Sequence, residues 1–213
     1  MSLSEQIAKK SRDQVFQTFE GHTIDCLMIL RDYLLKNKNV LKSFSEDFQI
    51  DFNILINIMF LSVFLHDLGK MTNEFQYKIK KGEPCGYFSH AFFGLPFINS
   101  NMPENLNDLL RIIVISHHTQ LYNRIYEDAN LSPKICYFYQ EINLWIEKYE
   151  TIYLKLFGDV FDNKYEPVYI EEEYLFKIEL NESIRKIIRE LKRKQGTNHR
   201  NIRTKAIYSL CLS

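Results

Sequence analysis

The sequence predicts a single all-α domain. Apolar residues recur at helical spacing along most of the 213 residues, whereas the alternation typical of half-buried strands is weak throughout. Only 7 Gly and 5 Pro accompany 16 Phe and 13 Tyr, and this composition is typical of a compact fold rather than a disordered chain. The length suffices for one substantial core, and no internal repeat or clear boundary divides it. We therefore expect one helical domain over residues 1–213.

The individual helices are placed by their apolar spacing and by residues that begin or end helices. Ser4 is expected to cap a first helix, and a second is expected at about residues 21–36, followed by a polar loop to residue 47. The most apolar helix follows over residues 51–68. Further helices are expected at about 88–99, 103–116, 132–157, 180–194 and 201–211.

The stretch around which the other helices are organised reads LSVFLHDLGKMTNEFQ and spans residues 61–76. Its approach, residues 54–65, is mostly apolar with no polar face, which indicates a helix buried on several sides. His66, Asp67 and Lys70 appear together at the end of that helix. Burying these groups without partners would cost several kcal/mol each. A divalent metal bound by the imidazole and the carboxylate would offset that cost.

Five of the six histidines precede residue 120, each near a predicted helix end or turn: His22, His66, His90, His117 and His118. A lone histidine is most often a satisfied core or surface residue. Here, however, His66 is adjacent to Asp67 and His117 to His118, and each pair follows a strongly apolar helix. A two-metal site, in which a carboxylate bridges ions about 3.5–4 Å apart, would gather such groups. We therefore expect a buried two-metal site.

Composition and charge predict a soluble cytoplasmic protein. The 27 basic and 27 acidic side chains balance, so no global field selects a polyanionic partner. The four cysteines lack the short paired spacing of a disulfide framework or a zinc knuckle, which is typical of reduced cytoplasmic thiols. The first residues include no apolar signal segment, and the longest apolar run is shorter than the roughly 20 residues of a membrane span. No membrane partner is expected.

The charge is nevertheless uneven near the end of the sequence, where residues 182–205 contain nine Lys/Arg against two Glu. Two interpretations are open. An apolar stripe at Ile184, Ile187, Ile188 and Leu191 indicates a packed helix whose charged face is simply solvated. Alternatively, the segment is a track for a nucleic-acid backbone. Its contacts would then be Arg185, Arg189, Lys192, Arg193 and Lys194.

The motifs around the candidate site resemble those of the HD superfamily of metal-dependent phosphohydrolases. The likeness rests on His22, LHDLGK at 65–70, Glu-Phe-Gln at 74–76, SHAFFG around His90 and SHH at 116–118. More narrowly, the set resembles the HD nuclease of the CRISPR-associated helicase–nuclease that degrades DNA in type I systems. The close likeness covers about residues 19–121, and the remainder is similar only in its helical character.

The resemblance implies an HD-type helical fold, two divalent metal ions and the residues that hold them. One ion would be held by His22, His66 and Asp67, with Asp67 bridging to a second ion held by His90, His117 and His118. Catalysis would involve His66, Asp67 and Lys70, with Lys70 beside the scissile phosphate. The ions could be manganese, nickel, cobalt, iron or magnesium. Their positive surplus suits a phosphodiester, and no nucleophilic Ser or Cys is needed.

One element of the family pattern is missing from this sequence. In the family, a late helix ends in a small residue followed by an Asp that completes the first metal site. Here the last predicted helix reads KAIYSLCLS and stops at Ser213, while Asp159 and Asp162 do not lie in a comparable helix. We therefore expect residues 1–213 to be an HD nuclease domain shortened at its C-terminal end.

The function that the resemblance implies is hydrolysis of phosphodiester bonds in single-stranded DNA during CRISPR type I interference. The chain has no GxxxxGK[ST] motif, so unwinding would come from a helicase portion or subunit, and the CRISPR effector complex would be a further partner. Two alternatives are open. One is an HD phosphodiesterase of small or cyclic nucleotides, whose Glu after His-His and whose Gly-Tyr-Pro are replaced here by HHTQLYNRI. The other is a catalytically silent HD domain that serves as an interaction module.

Overall fold

The computed structural model describes residues 3–10, 15–83, 90–117, 136–161, 164–169, 177–198 and 211 of the chain. These residues are mostly helical and include one two-stranded sheet, which confirms the all-α class. The strands are β1 (Ile7–Lys10) and β2 (Phe16–Thr18). The helices are α1 (Phe19–Lys36), α2 (Lys38–Asp47), α3 (Phe52–Leu65), α4 (Asn73–Lys81), α5 (His90–Phe93), α6 (Glu104–Ser116), α7 (Tyr139–Glu147), α8 (Tyr149–Phe157) and α9 (Lys177–Asn198). The expected domain extent of 1–213 stays a prediction.

Helix α3 lies in the centre of the core, where it packs against α1, α2 and α6. It begins after Asp51, whose carboxylate accepts a hydrogen bond from the backbone N–H of Ile54 at 3.0 Å. Among the described residues, one segment, Phe52–Lys70, is long and apolar enough to cross a membrane by length and composition alone. In the fold, 72% of that apolar window is buried, which is the behaviour of a core helix in a globular domain.

Aromatic packing fixes the C-terminal half of α3 against α7 and α8. Trp145 of α7 stacks on Phe64 with ring centroids 4.6 Å apart, and its indole N–H donates to the Phe64 carbonyl at 3.0 Å. Phe60 meets Tyr153 and Phe157 of α8 edge to face, at centroid distances of 5.0 and 4.9 Å. Because these side chains are almost completely buried, the end of α3 and the residues after it have little freedom to move.

The N-terminal segment forms a hairpin, so the first helix expected from Ser4 is wrong. Strands β1 and β2 pair antiparallel, with Ile7 opposite Thr18. The backbone N–H of Ile7 donates to the side-chain oxygen of Gln76 in α4, and the Gln76 amide donates back to the Ile7 carbonyl, both at 2.9 Å. Strand β1 is therefore held in place by a residue 69 positions away in the chain, and a local sequence pattern does not predict such a contact.

The polar segment expected as a loop at residues 36–47 is also wrong, because it forms α2. This helix buries Leu41 and packs against α3, and its many charged side chains are solvated. The helix expected at 51–68 ends earlier, at Leu65, and a 3₁₀ turn over Leu68–Lys70 follows. Because most residues of α2 are polar, its single stripe of buried side chains was not recognised from the sequence pattern.

The second half of the chain follows the expected order with changed boundaries. The helix expected at 88–99 is the short α5, followed by a 3₁₀ turn at Leu95–Phe97. The long helix expected at 132–157 is divided at Lys148 into α7 and α8 over its described residues. The helices expected at about 21–36, 103–116 and 180–194 are confirmed as α1, α6 and α9. The helix expected at 201–211 lies outside the described residues apart from Cys211.

Candidate metal centre

The candidate site surrounds Asp67, whose side chain is completely buried. Its Oδ2 lies 3.1 Å from Nε2 of His66 and 3.3 Å from Nε2 of His22. Its Oδ1 lies 3.1 Å from Nε2 of His90 and 3.6 Å from Nε2 of His117. Each carboxylate oxygen therefore faces a different pair of imidazoles, which is the arrangement of a ligand shared between two positions.

The four histidines reach this carboxylate from four different helices. His22 lies in the first turn of α1, which Thr18 caps by accepting a hydrogen bond from a backbone N–H at 3.1 Å. His66 is the residue at the C-terminal end of α3, and His117 has the same place at the end of α6. His90 begins α5. The site thus forms where four helix ends meet, and the packing of α3 holds it.

Backbone contacts orient two of these rings in the same way. Nδ1 of His66 lies 2.6 Å from the Val63 carbonyl, and Nδ1 of His117 lies 2.6 Å from the Val114 carbonyl. A carbonyl oxygen only accepts, so both Nδ1 atoms carry a hydrogen, and Nε2 of each ring is left to bind a proton or a metal ion. Histidines that bind metals typically donate their other ring nitrogen in this manner.

The Nε2 atoms of both rings face the carboxylate of Asp67, and a ring nitrogen without a hydrogen is an acceptor just as a carboxylate oxygen is. Two acceptors about 3 Å apart repel each other unless a proton or another cation lies between them. In addition, Oδ1 of Asp67 accepts no hydrogen bond although it is completely buried. Such an arrangement fits a bound divalent cation, because buried polar atoms otherwise have partners.

The donor types agree with a transition metal. Among the described residues, Asp67, His90 and His117 form one group whose ligand atoms all lie within 4.8 Å of one another. His22, His66 and Cys26 form a second such group. Nitrogen ligands with one carboxylate suit manganese, iron, cobalt, nickel or zinc. Sequence reasoning missed Cys26, although its spacing of four residues from His22 was available as a signal.

Electrostatics keep the carboxylate ionised. Burial by itself raises the pKa of Asp67, but the imidazoles of His66, His117 and His22 outweigh burial and hold that pKa well below its usual range. Hydrogen bonding to Asp67, and to a lesser extent to Cys26, raises the pKa of His22 to about 9. Burial lowers the pKa of His90 to about 4. The two sides of the carboxylate therefore differ, with a cationic imidazole near Oδ2 and a neutral one near Oδ1.

Lys70 lies in the same site. Its Nζ donates to Oδ2 of Asp67 at 2.6 Å, and only 10% of its side chain is exposed. The turn that carries it is fixed by Gln76, whose side-chain amide donates to the Lys70 carbonyl at 2.9 Å. Gln76 therefore connects this turn to strand β1, which gives the Gln after the HD motif a structural role.

Gly69 allows this turn to approach α5. A Cβ at Gly69 would lie 1.8 Å from the carbonyl oxygen of His90 and 2.7 Å from its carbonyl carbon, far inside any allowed contact. The glycine is therefore needed for close approach of two backbones rather than for a left-handed conformation. This approach sets the distance between His90 and Asp67.

The structure thus brings together His22, His66, Asp67, Lys70, His90 and His117. His118 lies outside the described residues, so its expected place in the site stays a prediction. The described chain also provides no counterpart of the missing Asp, because Asp162 lies outside it and Asp159 belongs to the turn after α8.

The basic segment lies on α9. Ile184, Ile188 and Leu191 are buried, so the apolar stripe packs as the first interpretation expects. Lys194 donates to Asp108 at 2.6 Å, which raises the pKa of that lysine. Of the other expected nucleic-acid contacts, Arg185, Arg189 and Arg193 are exposed and Lys192 is half-buried. Nucleic-acid binding by this face stays a prediction.

Comparison with known proteins matches this sequence to one family. The family model described as "Cas3, HD domain" matches residues 8–132. A candidate CRISPR-associated nuclease/helicase Cas3 from Methanocaldococcus jannaschii is 34% identical over 110 residues, which cover 49% of this chain and 15% of that protein. The chain therefore matches only a small part of the length of this curated relative.

A solved structure was also found, that of the CRISPR-associated Cas3 HD domain protein from Methanocaldococcus jannaschii. It is 19% identical, with a TM-score of 0.49, and the match covers 90% of this chain and 94% of the other. The family model covers more than half of the sequence, including every described histidine of the site. The chain therefore belongs to the Cas3 HD domain family, as the resemblance of its motifs predicts.

Proposed function

We propose that this protein is a metal-dependent nuclease that hydrolyses phosphodiester bonds of single-stranded DNA in CRISPR type I interference. Family membership makes it a CRISPR-associated HD hydrolase. The observation that carries the proposal is the buried carboxylate of Asp67, whose two oxygens face two separate pairs of imidazoles.

The residues would hold two divalent ions. His22, His66 and Asp67 would hold the first, and Asp67, His90, His117 and His118 the second. Divalent ions held by these residues would supply Lewis acidity toward a phosphodiester and would lower the pKa of the water they bind. Manganese, nickel, cobalt, iron and magnesium are all compatible with this role, and the nitrogen-rich donor set favours the transition metals.

The protein's own groups have separate tasks in this proposal. The hydrogen bonds from His66 and His117 to backbone carbonyls fix both rings and keep the Nε2 lone pairs directed into the site. Asp67 supplies the negative charge that both positions share. The ammonium of Lys70, which lies in the same site beside Asp67, would donate to a phosphate oxygen and stabilise the charge that develops there.

We infer the partners of this activity from the relative and from the sequence. The relative is named as a nuclease/helicase, and no GxxxxGK[ST] motif occurs in this chain. We infer that a helicase portion or subunit delivers single-stranded DNA to the site, together with a CRISPR effector complex. We place this hydrolysis of DNA in the cytoplasm, without a membrane partner.

Cleavage assays test the proposal directly. The metal-free chain is supplied with manganese, nickel, cobalt or magnesium and given single-stranded DNA, duplex DNA or a cyclic dinucleotide. We expect metal-dependent cleavage of single-stranded DNA and slower cleavage of duplex. Turnover of the cyclic dinucleotide alone would contradict the substrate assignment and favour the small-nucleotide alternative. Metal binding without any hydrolysis would favour a silent interaction domain.

A further inference from the structure

Helix α1 places a thiol beside the metal centre. Cys26 follows His22 by four residues, about one helical turn, so the two side chains lie on the same face of α1. Sγ of Cys26 is 4.0 Å from Nε2 of His22. The cysteine is half-buried and forms no disulfide. It is therefore available to a metal held by this face of the helix.

Nitrogen, oxygen and sulfur atoms converge at this point. The ligand atoms of His22, Cys26 and His66 all lie within 4.8 Å of one another. Nε2 of His66 is the ring nitrogen left for a metal, because its Nδ1 donates to the Val63 carbonyl at 2.6 Å. Oδ2 of Asp67 lies 3.1 Å from that Nε2. A cation among the three grouped atoms would meet two imidazoles and one sulfur, and Asp67 is the carboxylate that adjoins both imidazoles.

We propose that Cys26 is a thiolate ligand of the ion that His22, His66 and Asp67 hold. The proposal rests on the proposed function, since it assumes that these three residues bind a divalent ion. Coordination replaces the S–H bond by a sulfur–metal bond, and the released proton passes to water. The sulfur makes this position selective for zinc, cobalt or nickel over magnesium, because thiolates are soft ligands.

The distances are compatible with such a ligand. Zinc–nitrogen and zinc–sulfur bonds of about 2.0 and 2.3 Å separate tetrahedral N and S ligands by about 3.5 Å. The observed separation of 4.0 Å therefore needs a shift of only about half an ångström, well within side-chain motion. A thiol whose only role is to hydrogen-bond His22 would leave no trace in the spectrum of a bound metal.

Cobalt absorption separates these roles. Cobalt(II) is titrated into the metal-free 213-residue chain, and visible d–d bands report metal binding, whereas an intense near-ultraviolet sulfur-to-cobalt band reports thiolate ligation. We expect both signals in the wild type and in Cys136→Ser, and d–d bands alone in Cys26→Ser. Circular dichroism verifies that the variants keep their helices.

Every other outcome of the cobalt titration would overturn one specific claim. Visible bands without the sulfur band in the wild type, or a sulfur band that survives Cys26→Ser, would overturn the role of Cys26 and leave the metal site intact. No cobalt bands at all would overturn the proposed metal site together with its thiol ligand. If Cys26→Ser fails to fold, protection of Cys26 from alkylation in the wild-type protein decides the matter.

Two further measurements use other readouts. Zinc should slow alkylation of Cys26 by iodoacetamide in the wild-type protein but not alkylation of Cys136, as followed by peptide mass spectrometry. Equal rates with and without zinc would contradict the proposal. Cys26→Ser should also lower zinc affinity by at least about tenfold and manganese affinity by less. An equal loss for both metals would contradict the proposed selectivity.

Discussion

At the scale of single residues, Asp67 is unusual in being both completely buried and ionised. A buried charge without partners costs several kcal/mol, so its neighbours must compensate it. The ammonium of Lys70 lies at 2.6 Å, and four imidazoles surround the two oxygens. Removing the carboxylate removes the shared partner of all these groups, whereas removing Lys70 leaves the imidazoles in place.

Asp67→Ala should therefore abolish metal-dependent hydrolysis and keep the helical fold. Lys70→Ala should keep metal binding and lose about a hundredfold in rate, the order seen when one donor to developing charge is removed. Circular dichroism, calorimetric titration with manganese and a cleavage assay measure the three properties. An unchanged cleavage rate in Asp67→Ala would refute the bridging role. Loss of manganese binding in Lys70→Ala would assign Lys70 to the structure of the site instead.

The pH dependence of the metal-free protein gives a second test at this scale. The pKa of His22 is raised from 6.5 to about 9 by its hydrogen bond to Asp67. The protonated ring therefore stabilises the folded state fully below pH 6.5, and this contribution is lost as pH rises through 9. We expect the melting temperature of EDTA-treated protein to fall between pH 7 and 9.5, and to fall less in His22→Gln.

The comparison with His22→Gln is needed to isolate the contribution of His22, because other groups titrate in or near the same pH range. Burial raises the pKa of Cys211 to about 12, so above pH 9 the unfolded thiol ionises before the folded one and stability also falls. The pKa of His90 is lowered to about 4, so its effect is confined to pH below 6.5. Equal pH slopes for wild type and His22→Gln would contradict the assignment.

At the scale of elements, the 3₁₀ turn Leu68–Lys70 holds the site together because it contacts α5 directly. Gly69→Ala would place a methyl group 1.8 Å from the His90 carbonyl oxygen. We expect destabilisation of about 1–3 kcal/mol or more, the range for overpacking, and weaker metal binding as His90 is displaced. Denaturant unfolding and calorimetry measure these effects.

Gly94→Ala is the matched control for that prediction. A Cβ at Gly94 would meet its nearest neighbour, the backbone nitrogen of Gly69, at 3.5 Å, which is an ordinary contact. Its backbone is right-handed helical, so alanine fits there without strain. Similar stability and metal affinity for the two variants would show that the close approach at Gly69 is not what positions His90.

The site and the elements around it differ in how far the sequence predicts them. The histidines and Asp67 could be predicted as a group because each follows an apolar helix or lies in a recognisable motif. The pairing of each imidazole with one carboxylate oxygen could not, because it depends on the backbone at two helix ends. Likewise α3 was evident from its apolar run, whereas the β1–β2 hairpin depends on the distant amide of Gln76.

At the scale of the whole molecule, the charge is balanced, so the proposed affinity for nucleic acid would have to come from a local surface. Helix α9 turns its apolar stripe inward and leaves Arg185, Arg189 and Arg193 exposed. Lys194 belongs to the same helix, but its ammonium already contacts Asp108 and Glu104 of α6 at 2.6 and 3.3 Å. The arginines and this lysine therefore have different expected roles.

Replacing the three exposed arginines by glutamine should weaken binding of single-stranded DNA and flatten its salt dependence. Each lost phosphate contact should reduce the slope of log K against log salt by about 0.7. Fluorescence anisotropy with an oligonucleotide across a range of salt concentrations measures this slope. If the three-arginine variant keeps the wild-type slope, the charged face of α9 is only solvated, as the first interpretation of the sequence holds.

Lys194→Gln is the control that separates charge on α9 from contact with DNA. This change removes one positive charge from the same helix, but the ammonium is already compensated by Asp108, whose side chain is only 13% exposed. We therefore expect the salt slope to stay near that of the wild type. The free energy of unfolding should fall slightly, since Asp108 loses one of its two cationic partners and keeps Arg111 at 3.1 Å. A slope reduced as much by Lys194→Gln as by one arginine substitution would mean that DNA displaces Asp108 from Lys194. In that case the whole basic face, and not the three arginines alone, would form the track.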